Sequence, residues 1–462
     1  MYKVFGYYLP RSLVVLSAAE ITILLVSAYV GAAFQLYDFG VSPSGGGPMW
    51  MRAFSFCALM LMVMTATGLY QRDLRDRGHT VVLKITASFA LALIALALLD
   101  RWLPNVGLGT GAFVIALVCS GIGILVCRLI YFHDMETTMQ RRVLVLGVGR
   151  KARLIEGLRR KADRRGVDMV GFFDVEKGPR LVAPATIVPQ GLSIQDCARR
   201  FQIDEIVVAV DDRRNNLPLD DLLNCKMSGV RVIELSEFLE RQLGKLRVDS
   251  LQPGDVVFSK GFSRAVITPS AKRLLDVTLS SLMLIMMFPV MGLAALAIFI
   301  ESKGKGPVSY RQVRVGRKGR HFKVLKFRSM RVDAESDGVV RWAQRDDDRI
   351  TRVGAFMRKT RIDELPQLVN VLKGDMSFIG PRPERPEFVR QLEKKIPYFG
   401  VRHYVKPGIT GWAQICYPYG DSDEDAKEKL EYDLYYLKNY SLFLDLTILM
   451  QTVQIIFWGK GR

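Results

Sequence analysis

No two of the six cysteines form a C-x-x-C pair; Cys57, Cys119, Cys127, Cys197, Cys225 and Cys416 are scattered along the chain. That spacing indicates neither a disulfide framework nor a zinc site. The first three lie in apolar runs, where a reduced cysteine acts as a small hydrophobe. Histidine is scarce too: His79, His133, His321 and His403 are too dispersed for a metal-ligand cluster. Acidic residues are in deficit, with 46 Asp and Glu against 65 Lys and Arg and a net charge of +19. Such an excess points to anionic lipid, phosphorylated substrates or nucleic acid as partners.

What abounds is apolar sequence. The chain is 49% hydrophobic yet 24% charged, so the two kinds must be segregated along it. Four apolar stretches, at about 13–36, 51–70, 81–99 and 113–132, are each long enough to cross a bilayer as a helix. The run is too long and too often repeated to read as a cleaved signal peptide. Arg72, Arg75 and Arg77 sit in the second connection, whereas the first has no Lys or Arg. The positive-inside rule then places both ends of a four-helix bundle in the cytoplasm. Glu20, Arg52, Lys84 and Arg128 are single charges in these stretches. Most sit near an end, where they are expected to snorkel, and no transport path of paired charges is suggested.

A fifth apolar run, 274–300, holds Asp276 as its only charge and Pro289 at its middle. Lys260, Arg264, Lys272 and Arg273 precede it, and a strongly basic segment from Lys303 to Arg331 follows. Both flanks therefore read as cytoplasmic, and the segment is expected to dip into the membrane, bend at Pro289 and return. With so much membrane-seeking sequence, lipid headgroups and phosphates lead among anionic partners, and nucleic acid is set aside.

Between the bundle and this run, strand candidates at 143–146, 170–174, 203–210 and 230–235 alternate with helical segments. That order argues for a parallel sheet of Rossmann type. Gly147-Val148-Gly149 either cradles a dinucleotide, with Asp174 on the ribose, or serves close helix–strand packing. The latter makes the segment a regulatory or assembly module.

The last part holds the richest polar motifs: KFRSM from Lys326, RKTRIDELPQ from Arg358, GDMSFIGPRP from Gly374, KPGITGWAQ from Lys406 and YDLYYLKN from Tyr432. Leu365, Leu368, Val369 and Leu372 keep helical spacing up to Gly374, with Pro366 tolerable only in a first turn. Asp363 and Glu364 are thus expected at a helix N-terminus, where Asp either caps the helix or faces a phosphate. In isolation, Pro381-Arg382-Pro383 reads as a surface turn. The tail, 441–458, reads equally as an interfacial helix anchored by Trp458 or as one packed on the core. Asp333, Glu335 and Asp346–Asp348 offer acid groups, although charge runs are usually solvated.

Taken together and in this order, the five motifs resemble the bacterial polyprenyl-phosphate sugar-1-phosphate transferases, in particular the large monotopic members that initiate exopolysaccharide or O-antigen synthesis. The resemblance implies a membrane α/β protein in three parts. These are a four-helix transmembrane bundle (1–140), a Rossmann-like parallel α/β module (141–265), and a catalytic α/β domain with a re-entrant helix and interfacial helices (266–462). It implies Asp363 as nucleophile toward a UDP-sugar, with glucose as the working choice, and undecaprenyl phosphate as acceptor. Glu364 with Asp363 would hold Mg²⁺. Arg358, Arg361 and Arg382 would clamp phosphate, and Lys326 and Arg328 would serve either the phosphate or lipid headgroups. Pro381 and Pro383 would stiffen the Arg382 loop, and Gly411, Trp412, Asp433 and Tyr436 would border the pocket, the tyrosine equally well in a structural role. The family also suggests a homodimer in the bacterial inner membrane, its catalytic domain facing the cytoplasm. Many relatives have Ser-Pro where this chain has Phe288-Pro289. Rival readings are an NAD(P)-linked sugar-modifying enzyme built on the glycine turn, and a membrane scaffold for polysaccharide assembly.

Overall fold

The computed structural model describes residues 2–4, 7–9, 11–39, 48–70, 78–102, 108–131, 140–158, 163–164, 166–175, 178–189, 191–212, 217–251, 254, 261–262, 269–332, 334, 349–417, 420 and 422–458. Asp333, Glu335 and Asp346–Asp348 lie outside them. The chain divides into two compact units, one running to Gly244 apart from residues 5–7, and the other comprising those residues and the chain from Lys245 onward.

In the first unit, two short strands, β1 (Tyr2–Val4) and β2 (Tyr7–Leu9), precede four long helices: α1 (Arg11–Phe39), α2 (Met49–Ala66), α3 (Gly78–Trp102) and α4 (Thr110–Ile130). Each of the four contains a stretch long and apolar enough to cross a membrane. They are apolar on all sides, as helices bounded by lipid rather than water must be. Leu24, Phe56, Met60, Met64 and Ile124 are buried at their centre, while Phe54, Val118 and Ile122 face outward. The expectation that charges here snorkel is corrected. Arg128 Nε lies 2.7 Å from Glu20 Oε1, both groups being buried. Tyr70 donates its hydroxyl to Glu20, and Arg128 Nη1 donates to the carbonyl of Leu69 at 3.1 Å. An isolated charge at this depth is costly, whereas a pair that also satisfies its hydrogen bonds is tolerated.

The same unit continues into a doubly wound α/β module. Strands β3 (Arg141–Leu146), β4 (Val167–Phe173), β5 (Glu205–Val208) and β6 (Arg231–Glu234) form an all-parallel sheet in the order β4-β3-β5-β6. Helices α5 (Arg150–Glu156), α6 (Ile194–Arg200), α7 (Leu219–Met227) and α8 (Leu235–Leu243) alternate with them. Val143, Val145 and Val207 point into one core, and Leu144, Leu146, Ile206 and Val208 into the other. Strands covered on both faces read as unbroken apolar runs, which is why they were visible in the sequence.

Packing requires the glycine turn. Gly147 has φ +121°, and a Cβ there would stand 2.7 Å from the carbonyl oxygen of Ala209. The place a ligand phosphate would take at α5 is filled by this chain's own carboxylate, since the backbone N–H groups of Arg150 and Lys151 donate to Asp211 at 2.7 and 2.9 Å. Asp174, the expected ribose acid, pairs with Arg180 at 2.7 Å.

The second unit begins with residues 245–251, whose backbone is held by the carbonyl and carboxylate of Glu431 at Leu246 and Val248. Then comes α9 (Pro269–Glu301), a 33-residue helix with Pro289 inside it. The hairpin β7 (Ser309–Val315) and β8 (His321–Phe327) pairs Tyr310 with Lys326. Helices α10 (Arg352–Thr360) and α11 (Gln367–Lys373) follow. After them the parallel pair β9 (Ser377–Ile379) and β10 (Gly408–Thr410) brackets α12 (Pro386–Lys395), and α13 (Trp412–Cys416), α14 (Asp423–Lys438) and α15 (Leu442–Trp458) close the unit.

Two sequence readings change here. Lys272 and Arg273 are more than membrane-flanking charges. Lys272 Nζ meets Asp445 at 2.7 Å and the carbonyl of Ile379 at 3.2 Å, while Arg273 donates to the carbonyls of Val371 and Leu372, capping α11. For α15 the core reading is favoured. Leu444, Asp445, Ile448 and Gln454 are buried, and Thr452 shares a hydrogen bond with Thr410 of β10.

Candidate active site

The site is built where α10 stops. Arg361, at φ +60°, takes the left-handed conformation that ends this helix, a strained choice for a residue with a Cβ. The chain then reverses into a 3₁₀ turn, Ile362–Glu364, before α11 begins at Gln367. Asp363 and Glu364 therefore occupy this turn rather than the N-terminus of an α-helix, because Pro366 lacks the N–H that would extend α11 backwards. Asn370 fixes α11 against β8 by imitating a neighbouring strand. It accepts from the N–H of Leu325 at 2.9 Å and donates to the carbonyl of Lys323 at 2.9 Å. That contact carries Lys326 to the carboxylates.

Glu364 is the hub. Its Oε1 receives Arg382 Nη2 at 2.8 Å, Lys326 Nζ at 3.1 Å and Arg361 Nη1 at 3.7 Å. Burial alone would push this carboxyl up, but Arg382, Lys326 and Arg361 prevail and hold it well below the usual range. Asp363 behaves in the opposite way. It is buried, and burial first, then the neighbouring Glu364 charge, push its carboxyl up. Among the described residues its Oδ1 has no hydrogen-bond partner, and the same holds for Arg358 Nη1. A buried carboxylate oxygen left unpaired is costly and calls for explanation. Adjacent to it, Lys326 loses proton affinity through burial, whereas Arg382 is kept more firmly charged by Glu364.

The donor set suits Mg²⁺ as proteins hold it for phosphate chemistry, with one or two carboxylates plus substrate oxygens and water. Asp363 Oδ1 is uncommitted, and the three cations all meet Glu364 at its other oxygen, leaving Oε2. No cluster of three or more His, Cys, Asp or Glu exists among the described residues, so any metal here would depend on substrate oxygens.

Of the other expected site residues, Pro381 is buried and Pro383 half-buried, flanking Arg382. The carbonyl of Pro381 accepts from Gly408, and that of Pro383 from Arg314. Arg328 turns away, donating to the carbonyl of Lys305 at 3.0 Å. Three further pocket candidates have partners within the scaffold. Trp412 is buried and stacked on Tyr435. Tyr436 donates to Asp445 at 2.8 Å inside the core. Gly411 exists for close packing, since a Cβ there would lie 2.1 Å from the carbonyl oxygen of Gly380.

Asp433 is likewise buried, pairing with Arg402 Nη2 at 2.8 Å. That same nitrogen donates to the carbonyl of Arg382 at 2.9 Å, so the pair supports the arginine loop from behind. Arg402 and Arg314, both missed in the sequence, carried no signal beyond lying in basic stretches. Burial outweighs Arg402 and pushes Asp433 up to about 6. The folded chain thus binds this proton more tightly than the unfolded one. Stability from this group is greatest below pH 3.8 and is lost as pH rises through about 6. We therefore expect the Tm difference between wild type and Asp433→Asn to decline from pH 4 to 6 and stay flat above, as followed by scanning fluorimetry in detergent.

Residues 267–459 match the family described as bacterial sugar transferase. A UDP-glucose:undecaprenyl-phosphate glucose-1-phosphate transferase of Caulobacter vibrioides is 39% identical over 233 residues, 48% of this chain and 84% of the relative. The chain belongs to the bacterial sugar transferase family. A UDP-N-acetylgalactosamine-undecaprenyl-phosphate N-acetylgalactosaminephosphotransferase of Aeromonas hydrophila is 40% identical over 240 residues, 52% of this chain and 55% of the relative. An undecaprenyl-phosphate glucose phosphotransferase of Komagataeibacter xylinus is 31% identical over 333 residues, 71% of this chain and 61% of the relative. The chain thus spans roughly half the length of the Aeromonas hydrophila relative, and the family match falls on the unit that holds Asp363 and Glu364.

Proposed function

We propose that the chain transfers a hexose 1-phosphate from a UDP-sugar to undecaprenyl phosphate at the cytoplasmic leaflet of a bacterial inner membrane, starting exopolysaccharide or O-antigen synthesis. The observation that carries this reading is the contrast between the two carboxylates, Glu364 engaged by cations at one oxygen and Asp363 buried with a free oxygen. Asp363 attacks the phosphorus next to the sugar, forming an acyl phosphate and expelling UMP. The lipid phosphate oxygen then attacks the same phosphorus, yielding the lipid diphosphate-sugar and returning the carboxylate. Arg358, Arg361, Arg382 and Lys326 offset charge on the transferring group. Mg²⁺ held by Asp363 and Glu364 would supply further charge neutralisation at the diphosphate.

Support for a re-entrant α9 comes from where its ends pack. A straight helix from Arg273 to Ile298 measures about 38 Å. Arg273 holds Val371, which packs with Val324 of β8, while Ile298 packs with Phe327 of the same strand. Val324 and Phe327 are only about 10 Å apart, and Leu282, Ile285, Met286 and Phe288 between the ends are exposed. A bend at Pro289 reconciles these distances and keeps both basic flanks on one side.

The relatives' names carry glucose and N-acetylgalactosamine, so the donor is tested as a panel. Purified protein in lipid nanodiscs with Mg²⁺ should release UMP catalytically from one UDP-sugar when undecaprenyl phosphate is present, and at most one UMP per protein chain without it. Absence of release from every donor would move the reading to a scaffold.

A further inference from the structure

At the end of α11 away from Asp363, the second unit carries another cationic surface. The turn joining β7 to β8, Gly316 to Arg320, holds three exposed cations, Arg317, Lys318 and Arg320. Lys318 itself adopts a left-handed φ of 57°. With His321, Asp375 and Lys406 these residues line an open hollow of about 480 Å³. Four basic side chains thus face one carboxylate, and none of the four is ion-paired among the described residues. Asp363 lies beyond the whole length of α11, about 10 Å of helix, so the hollow stands apart from the carboxylate site.

Its position is as telling as its charge. Gly374, on its wall, has Lys406 Nζ and the Arg273 guanidinium close by, 3.6 and 3.9 Å from where a Cβ would stand. Arg273 directly precedes Leu274, which is 69% exposed and begins the apolar length of α9. The hollow therefore borders the point where this unit meets hydrocarbon. Lys406 is pushed down by burial and then by Arg273, as expected of cations gathered without their anion.

We propose that this hollow binds the headgroup phosphate of an anionic phospholipid, fixing the depth and tilt at which the second unit sits on the bilayer. A phosphate offers the acceptor oxygens that guanidinium and ammonium groups require. A diester headgroup brings them at the height of the helix entry, and each cation near such a surface adds about 1 kcal/mol.

The test compares full-length wild type with the triple variant Arg317→Gln, Lys318→Gln, Arg320→Gln in detergent. The probes are dihexanoyl phosphatidylglycerol, dihexanoyl phosphatidylcholine and UDP. Expected is a Kd for phosphatidylglycerol weaker by about a hundredfold, what losing three such charges implies, with the other two probes unchanged. Lys318→Gly, which removes one charge while suiting the left-handed backbone, should weaken the same Kd about fivefold. A phosphatidylglycerol Kd unchanged in Lys318→Gly and in a triple variant that melts like wild type would overturn the proposal. So would a loss confined to UDP, which would assign the hollow to a soluble nucleotide. Because the readout is binding, the result is independent of any transferase activity.

Discussion

Asp363→Asn should lower UMP release by roughly a thousandfold or more while leaving the protein folded. The change is nearly isosteric and removes the nucleophilic oxygen from a group whose Oδ1 is committed to no protein partner. Little packing or hydrogen bonding is lost with it, so the melting temperature should hold or rise, because a buried charge beside Glu364 disappears. That combination separates a nucleophile from a cap. A capping role would instead leave activity largely retained, since Asn caps as well as Asp. The acid limb of the wild-type rate should lie above the ordinary aspartate value of 3.8, since burial and Glu364 raise this carboxyl. Steady-state UMP release across pH, beside the variant's melting curve, checks both.

Glu364→Gln should be damaging in a different manner. Arg382, Lys326 and Arg361 all converge on one of its oxygens, and a neutral amide cannot hold three cations. Lys326 already has lowered proton affinity from burial. Without the opposing charge it is expected to deprotonate at a lower pH, and Arg382 should swing free. We expect turnover to fall about a hundredfold, with a loss of stability of about 3 kcal/mol from uncompensated charge and a weaker response to Mg²⁺. Glu364→Asp, a charge on a shorter arm, should recover part of the stability. Full activity in Glu364→Gln would mean that the cations are positioned by other groups.

The legible parts of this fold were those governed by period and composition. Five apolar helices and four buried parallel strands announce themselves because each must bury or expose a continuous face. Local chemistry carried the motif residues as well, and Lys326, Arg361 and Arg382 do gather on Glu364. What the sequence hid were partnerships between distant positions. Glu20 and Arg128 looked like isolated charges because their pairing depends on how α1 and α4 pack. Asp433 read as a pocket acid and Arg402 drew no reading, although together they brace the Arg382 loop. Trp412 and Gly411 lay in a motif and were read as pocket residues, yet the motif's glycines serve the close approach of β9 and β10 strands. A sequence shows which residues are unusual, not whether the substrate or the scaffold requires them.

The most direct test of the account is to incubate full-length protein with the donor UDP-sugar, labelled in its sugar, without lipid acceptor, and to analyse the rapidly quenched protein by peptide mass spectrometry. The account predicts a phosphosugar adduct on the peptide carrying Asp363, discharged on adding undecaprenyl phosphate and absent from Asp363→Asn. An adduct on another residue, or label that leaves the nucleotide only when the lipid is present, would contradict a covalent intermediate at Asp363.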